Sequence, residues 1–170
     1  MTLHWVSARE RADLLAEPVA QAVGGLDGVE VAEIDPELAD TAEFCARYGV
    51  ALDESANCVI VAGRRGGETR YAACMVLATM RVDVNGVVRK HLDLRKASFA
   101  PMAEAVELTG MEYGGITPLG LPADWPILVD ANVAEHSKVV IGSGLRRSKL
   151  AVSGATLAGL KGAEVLSLAN

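Results

Sequence analysis

The stretch Gly110-Met111-Glu112-Tyr113-Gly114-Gly115-Ile116-Thr117-Pro118-Leu119-Gly120 decides how this chain is read. Three glycines and one proline fall within residues 114–120. They follow a predicted helix over residues 102–108, with Pro101 at its start, and precede the apolar strand Trp125-Pro126-Ile127-Leu128-Val129-Asp130. Glycine opens backbone conformations closed to other residues and lets the main chain approach a ligand. Loops of this composition bind through main-chain N–H groups, which makes this one a candidate cradle for a carbonyl or carboxylate. A tight turn joining helix to strand is the other reading of the same residues.

Upstream, Val29-Glu30-Val31-Ala32-Glu33-Ile34 alternates with period two and predicts a half-exposed strand, ended by Asp35-Pro36. Residues 41–48 predict a helix capped by Asp40 or Thr41 and stopped by Gly49. Residues 57–62 and 71–79 predict an antiparallel pair around Arg64-Arg65-Gly66-Gly67-Glu68. Residues 7–23 predict a first amphipathic helix, with Ser7 and Glu10 as a capping box and Leu14, Leu15, Val19 and Val23 at helical spacing. A helix over 83–91 capped by Asp83, strands over 139–142 and 145–152, and a short helix over 155–160 complete the series. Strands and helices alternate irregularly, with tight hairpins among the strands. That pattern predicts an α+β, or mixed α/β, chain: one compact domain over residues 1–170 with a mixed sheet and packed helices.

Half of the 170 residues are apolar (51%) and only 4% are aromatic, so Ala, Val and Leu must build the core. Sixteen Lys and Arg stand against 22 Asp and Glu, a net charge of −6. Nothing in that balance points to bulk nucleic-acid affinity, and a local basic patch is the route left to RNA. Cys45, Cys58 and Cys74 have no CxxC spacing and predict reduced thiols in a cytoplasm. No Cys or His pair has metal-ligand spacing, so neither a metal nor another cofactor is expected. The N-terminus lacks the apolar region of a signal peptide, and no run approaches the length of a membrane span.

Gly142-Ser143-Gly144-Leu145-Arg146-Arg147-Ser148-Lys149 joins glycines and hydroxyls to three basic side chains, a composition suited to phosphate or ribose. A hairpin with a solvated basic strand is the alternative. Walker spacing is absent, and the GxSxG pattern fails at Ile141-Gly142-Ser143-Gly144-Leu145. The clusters Arg64, Arg65, Arg70 and Arg89-Lys90-His91, Arg95, Lys96 read as solvated faces. Asp130 ends an apolar strand, where a functional and a capping role are equally common.

Together these loops resemble the YbaK/ProX-like aminoacyl-tRNA deacylases, a family also found as the editing domain of bacterial prolyl-tRNA synthetases. The resemblance runs over residues 29–160 and is most specific at Tyr113-Gly114-Gly115-Ile116-Thr117-Pro118-Leu119-Gly120, similar to the family's GGxxP-type loop. It implies a mixed, barrel-like sheet ringed by helices. It also implies a freestanding protein that hydrolyses the ester between a wrong amino acid and the tRNA 3′ end, with an aminoacyl-tRNA synthetase as a candidate partner. On that resemblance Gly114 and Gly115 contact the carbonyl, Thr41 and Asn57 orient the 3′ end, and Arg146 and Arg147 meet phosphate. Ile116, Pro118, Asp130, Gly142, Ser143 and Gly144 complete the implied substrate site; by their placement in the chain alone, Ala73, Met75 and Ile116 are candidate wall residues. The family's lysine in the strand after the second helix matches Asn57 here. Asparagine hydrogen-bonds but carries no charge. Three outcomes are open: Arg81, Arg146 or Arg147 supplies the charge; the substrate differs; or the protein binds a tRNA 3′ end or a nucleotide without hydrolysis.

Overall fold

Two sheets meet along one seam in the computed structural model, which describes residues 2–170. The first is antiparallel and runs β1 (Val6–Ser7), β2 (Glu30–Glu33), β8 (Ser148–Val152), β7 (Val139–Gly142). The second is mixed and runs β5 (Arg95–Phe99), β3 (Ala56–Arg65), β4 (Glu68–Leu77), β6 (Ile127–Asp130), β9 (Ala163–Leu166). In it β6 lies parallel to both β4 and β9. Every residue of β6 is buried, as a strand flanked by parallel neighbours must be. Gly66 and Gly67 turn β3 into β4 with φ of +58° and +80°, the left-handed geometry of a two-residue hairpin loop.

The helices are α1 (Glu17–Val23), α2 (Thr41–Tyr48), α3 (Arg89–His91), α4 (Met102–Thr109), α5 (Ala131–Ala134) and α6 (Gly154–Ala158). Val19 and Val23 of α1 are buried in the main core with Val31, Met75, Ile141 and Leu150 from both sheets. The mixed α+β class is the one expected. The barrel-like sheet is corrected to two open sheets. Among the described residues their backbones are joined by one parallel bridge, Ser55 to Val140, between the 3-10 turn over Leu52–Glu54 and the start of β3.

Two helix expectations are corrected as well. Residues 7–23 hold a helix only from Glu17, preceded by β1 and two 3-10 turns. Pro18 is the reason: it fits the first turn of a helix and not an interior. Ser7 pairs with Glu30 instead of capping. Residues 83–91 form a π turn over Val84–Val88 running into α3, although Asp83 does cap it, accepting from the Gly86 N–H at 2.9 Å. Strand β5 escaped the sequence reading because it is an edge strand with one buried residue, Ala97, and a left-handed Lys96 (φ +52°).

Candidate active site

The seam leaves a cavity of about 380 Å³ where the start of β3 faces the ends of β7 and β8. Thr41 opens α2 at its rim and donates from its hydroxyl to Asn57 Oδ1 at 2.8 Å. That bond fixes the amide and leaves its NH2 as the available donor. Gly114, Ile116 and Gly142 face Asn57 and Thr41 across the same cavity, and Asp40, Ser55, Cys58, Met102 and Tyr113 complete most of its wall. Five of the site residues read from sequence therefore converge: Thr41, Asn57, Gly114, Ile116 and Gly142.

The two glycine loops are laced to each other. Glu112 N–H donates to the Gly144 carbonyl at 2.8 Å, and Gly144 N–H donates to the Gly115 carbonyl at 2.7 Å. Gly115 N–H is committed to the Glu112 carbonyl at 2.9 Å. Among the described residues, Gly114 N–H makes no hydrogen bond, whereas Gly115 N–H is used within the loop. Gly114 has φ +77°, and a side chain there would meet the Arg146 guanidinium. At Gly142 a Cβ would lie 2.6 Å from the Gly115 carbonyl oxygen. Gly142 is needed for close approach of backbone to backbone, and Gly114 for its left-handed turn beside the Arg146 side chain.

Arg146 clasps this wall. Its Nη1 lies 3.3 Å from Asp40 Oδ1 and 3.2 Å from the Tyr113 carbonyl, and its N–H donates to Glu112 Oε1 at 2.8 Å. The α2 cap and the glycine loop are thereby tied together across 106 and 33 residues of sequence. Arg147 turns away and donates to the Asp13 carbonyl. Ser143 is fully buried in a hydroxyl knot with Ser148 (2.6 Å) beneath the turn. Gly144 packs on Ala16 and Val19, and Pro118 borders a separate hollow with Ala22 and Leu26. Asp130 caps α5 and accepts from the Asn132 and Leu168 N–H groups, so both its oxygens serve the fold. Ala73 and Met75 are fully buried in the core and do not line the cavity.

The cation that enters the cavity beside Asn57 is Lys149, and not Arg81 or Arg147. Lys149 is the second residue of β8, every residue of which is buried, and is 7% exposed. Its Nζ donates to the Ala39 carbonyl at 2.8 Å and lies 5.2 Å from the Phe44 ring centroid. Burial pushes its amine down to about 8. The sequence offered Lys149 either as one of three basic side chains for phosphate or ribose or as part of a solvated strand; its burial was signalled only by the apolar Leu150-Ala151-Val152 that follow it. Cys58 shares the wall, but burial drives its thiol well above the ordinary range, which removes it as a nucleophile.

The model of the aminoacyl-tRNA editing domain matches residues 35–160. Among solved structures, a protein provisionally assigned as a trans-editing enzyme for prolyl-tRNA synthetase is 22% identical, with TM-score 0.78 over 91% of this chain and 96% of its own. The hypothetical protein APE2540 is 25% identical, with TM-score 0.80 over 91% of this chain and 100% of its own. A longer protein from Marinobacter aquaeolei VT8, provisionally assigned to signal transduction, carries the fold in 30% of its length, matching 89% of this chain at 18% identity and TM-score 0.62.

Proposed function

We infer the function from family and pocket together: this chain belongs to the aminoacyl-tRNA editing domain family. It is an editing protein whose substrate is mischarged aminoacyl-tRNA, and its reaction is hydrolysis of the ester to the 3′ end. No helix among the described residues is long and apolar enough to cross a membrane.

We propose that the cavity at the seam is the editing pocket. The carrying observation is that Gly114 of the glycine loop faces the Thr41–Asn57 pair across it. The Gly114 N–H and the Asn57 NH2 would hold the ester and the terminal ribose. A volume of about 380 Å³ lies at the small end of ligand pockets and suits a small aminoacyl group with part of its ribose. Pocket size would then set specificity, since a methylene discriminates by only about 1–3 kcal/mol. Arg146 would act at the rim, where the tRNA backbone must leave. Action in trans on tRNA released by a synthetase is the further reading.

The test is deacylation of a panel of mischarged tRNAs, including tRNA for proline carrying alanine or cysteine. Turnover of small aminoacyl esters, lost in Asn57→Ala, is expected. No member cleaved above the buffer rate would overturn the assignment.

A further inference from the structure

Lys149 is the one buried cation of the cavity wall, and its surroundings define what it can meet. Phe44 is fully buried beneath it, and the Ala39 carbonyl takes one of its three N–H donors. Among the described residues no carboxylate lies within salt-bridge distance of it, although six of the ion pairs in this protein join Lys or Arg to Asp or Glu. Asp40, the acid facing it from the α2 cap, is held by Arg146 at 3.3 Å. The other titratable groups facing it are the Cys45 thiol on α2 and Arg146 itself, so no neighbour neutralises it. A buried ammonium with free donors and no counter-ion is a site for a negatively charged oxygen.

Topology chooses which oxygen. Lys149 pairs with Gly142 across the β7–β8 ladder, in the wall of a cavity of only about 380 Å³ that it shares with Asp40 and Tyr113. A tRNA can enter such a cavity only by its terminus. A phosphodiester continues into the rest of the chain and is too bulky to be enclosed with it, whereas a terminal aminoacyl ester fits the volume beside Lys149.

We propose that the Lys149 ammonium is a catalytic residue that hydrogen-bonds the scissile carbonyl oxygen and stabilises the oxyanion formed during deacylation; this rests on the deacylase reading above. Water adds to the carbonyl carbon, and the carbonyl π pair moves onto the oxygen beside Lys149. Collapse breaks the bond to the ribose oxygen, which takes up the proton released by the water. Free amino acid and a tRNA hydroxyl result, and Lys149 remains protonated throughout.

The experiment compares wild type, Lys149→Met and Lys149→Arg on whichever mischarged tRNA the wild type cleaves, between pH 6.5 and 9. Because an oxyanion exists only in the transition state, Lys149→Met should lose about 100-fold in kcat with KM changed less than about threefold. The wild-type rate above buffer should fall as pH passes about 8 and the ammonium is lost. Lys149→Arg, which stays charged, should recover part of the lost activity and lack that fall. Circular dichroism confirms that each variant is folded. If Lys149→Met does not fold, the binding of a 3′-amide aminoacyl-adenosine decides, followed by the Lys149 side-chain NMR resonance: a shift on binding supports the contact, and no shift overturns it. A Lys149→Met enzyme within threefold of wild type, or one damaged in KM alone, overturns the role of Lys149 while leaving the deacylase reading standing. A wild type that cleaves no member of the panel overturns the deacylase reading, and the oxyanion role falls with it.

Discussion

Lys149→Met should raise stability at neutral pH, and that gain should shrink as pH rises. Burial lowers the amine from 10.5 to about 8, a displacement that corresponds to about 3 kcal/mol. At 7% exposure, solvent screening discounts this little. The sign follows from proton counting. Below about pH 8 both states hold the proton, and the folded state bears the whole cost of a buried charge. Between about 8 and 10.5 the unfolded chain keeps a proton that the folded protein has released, so wild-type stability rises with pH. Methionine has no such dependence. Removing the amine also strips the Ala39 carbonyl of its donor, which costs about 1–3 kcal/mol. The net gain at pH 7 is then about 0–2 kcal/mol, and the difference between variant and wild type should move by about 3 kcal/mol in favour of wild type by pH 10.5. Urea denaturation of both proteins from pH 7 to 10.5 measures this directly, because the other titrating groups cancel in the difference. A difference constant to within about 0.5 kcal/mol would refute the claim that Lys149 is a buried, unneutralised cation.

Gly142→Ala forces a methyl to 2.6 Å from the Gly115 carbonyl oxygen and should cost about 1–3 kcal/mol by denaturation, with activity falling as the glycine loop moves. Thr41→Val removes the 2.8 Å bond that orients Asn57; a fall of about 3- to 10-fold in kcat/KM at unchanged melting temperature is expected, and an unchanged rate would remove Thr41 from the site. Arg146→Met frees the rim from Asp40 and Tyr113 and should raise KM for tRNA more than for an aminoacyl-adenosine fragment; equal effects on both substrates would count against a phosphate contact.

Where local chemistry decides an element, the residues were readable. Period-two alternation announced β2, Gly49 stopped α2, and Gly66-Gly67 turned the β3–β4 hairpin. The glycine loop was legible for the same reason: close approach and positive φ leave a mark in composition. Edge strands β1, β5 and β9 left no such mark, since they are short and bury at most one residue each. Asp130 was undecidable from its neighbours because its second oxygen accepts from Leu168, 38 residues away. Arg147 looked equivalent to Arg146, yet one donates to Asp13 and the other clasps the cavity.

The sequence by itself determined the class of the fold, the family and the glycine loop that lines the cavity. Only the tertiary structure decided where the positive charge lies. Asn57 announced a missing cation, and three arginines were candidates to replace it. The seam between the sheets brings β7 beside the start of β3, and Lys149 of the neighbouring β8 into the same cavity as Asn57, across 92 residues of chain (149 − 57). Burial on both sides of β8 leaves the Lys149 ammonium facing the cavity. Charge is written in the residue type, but its burial and its distance from a counter-ion are properties of packing.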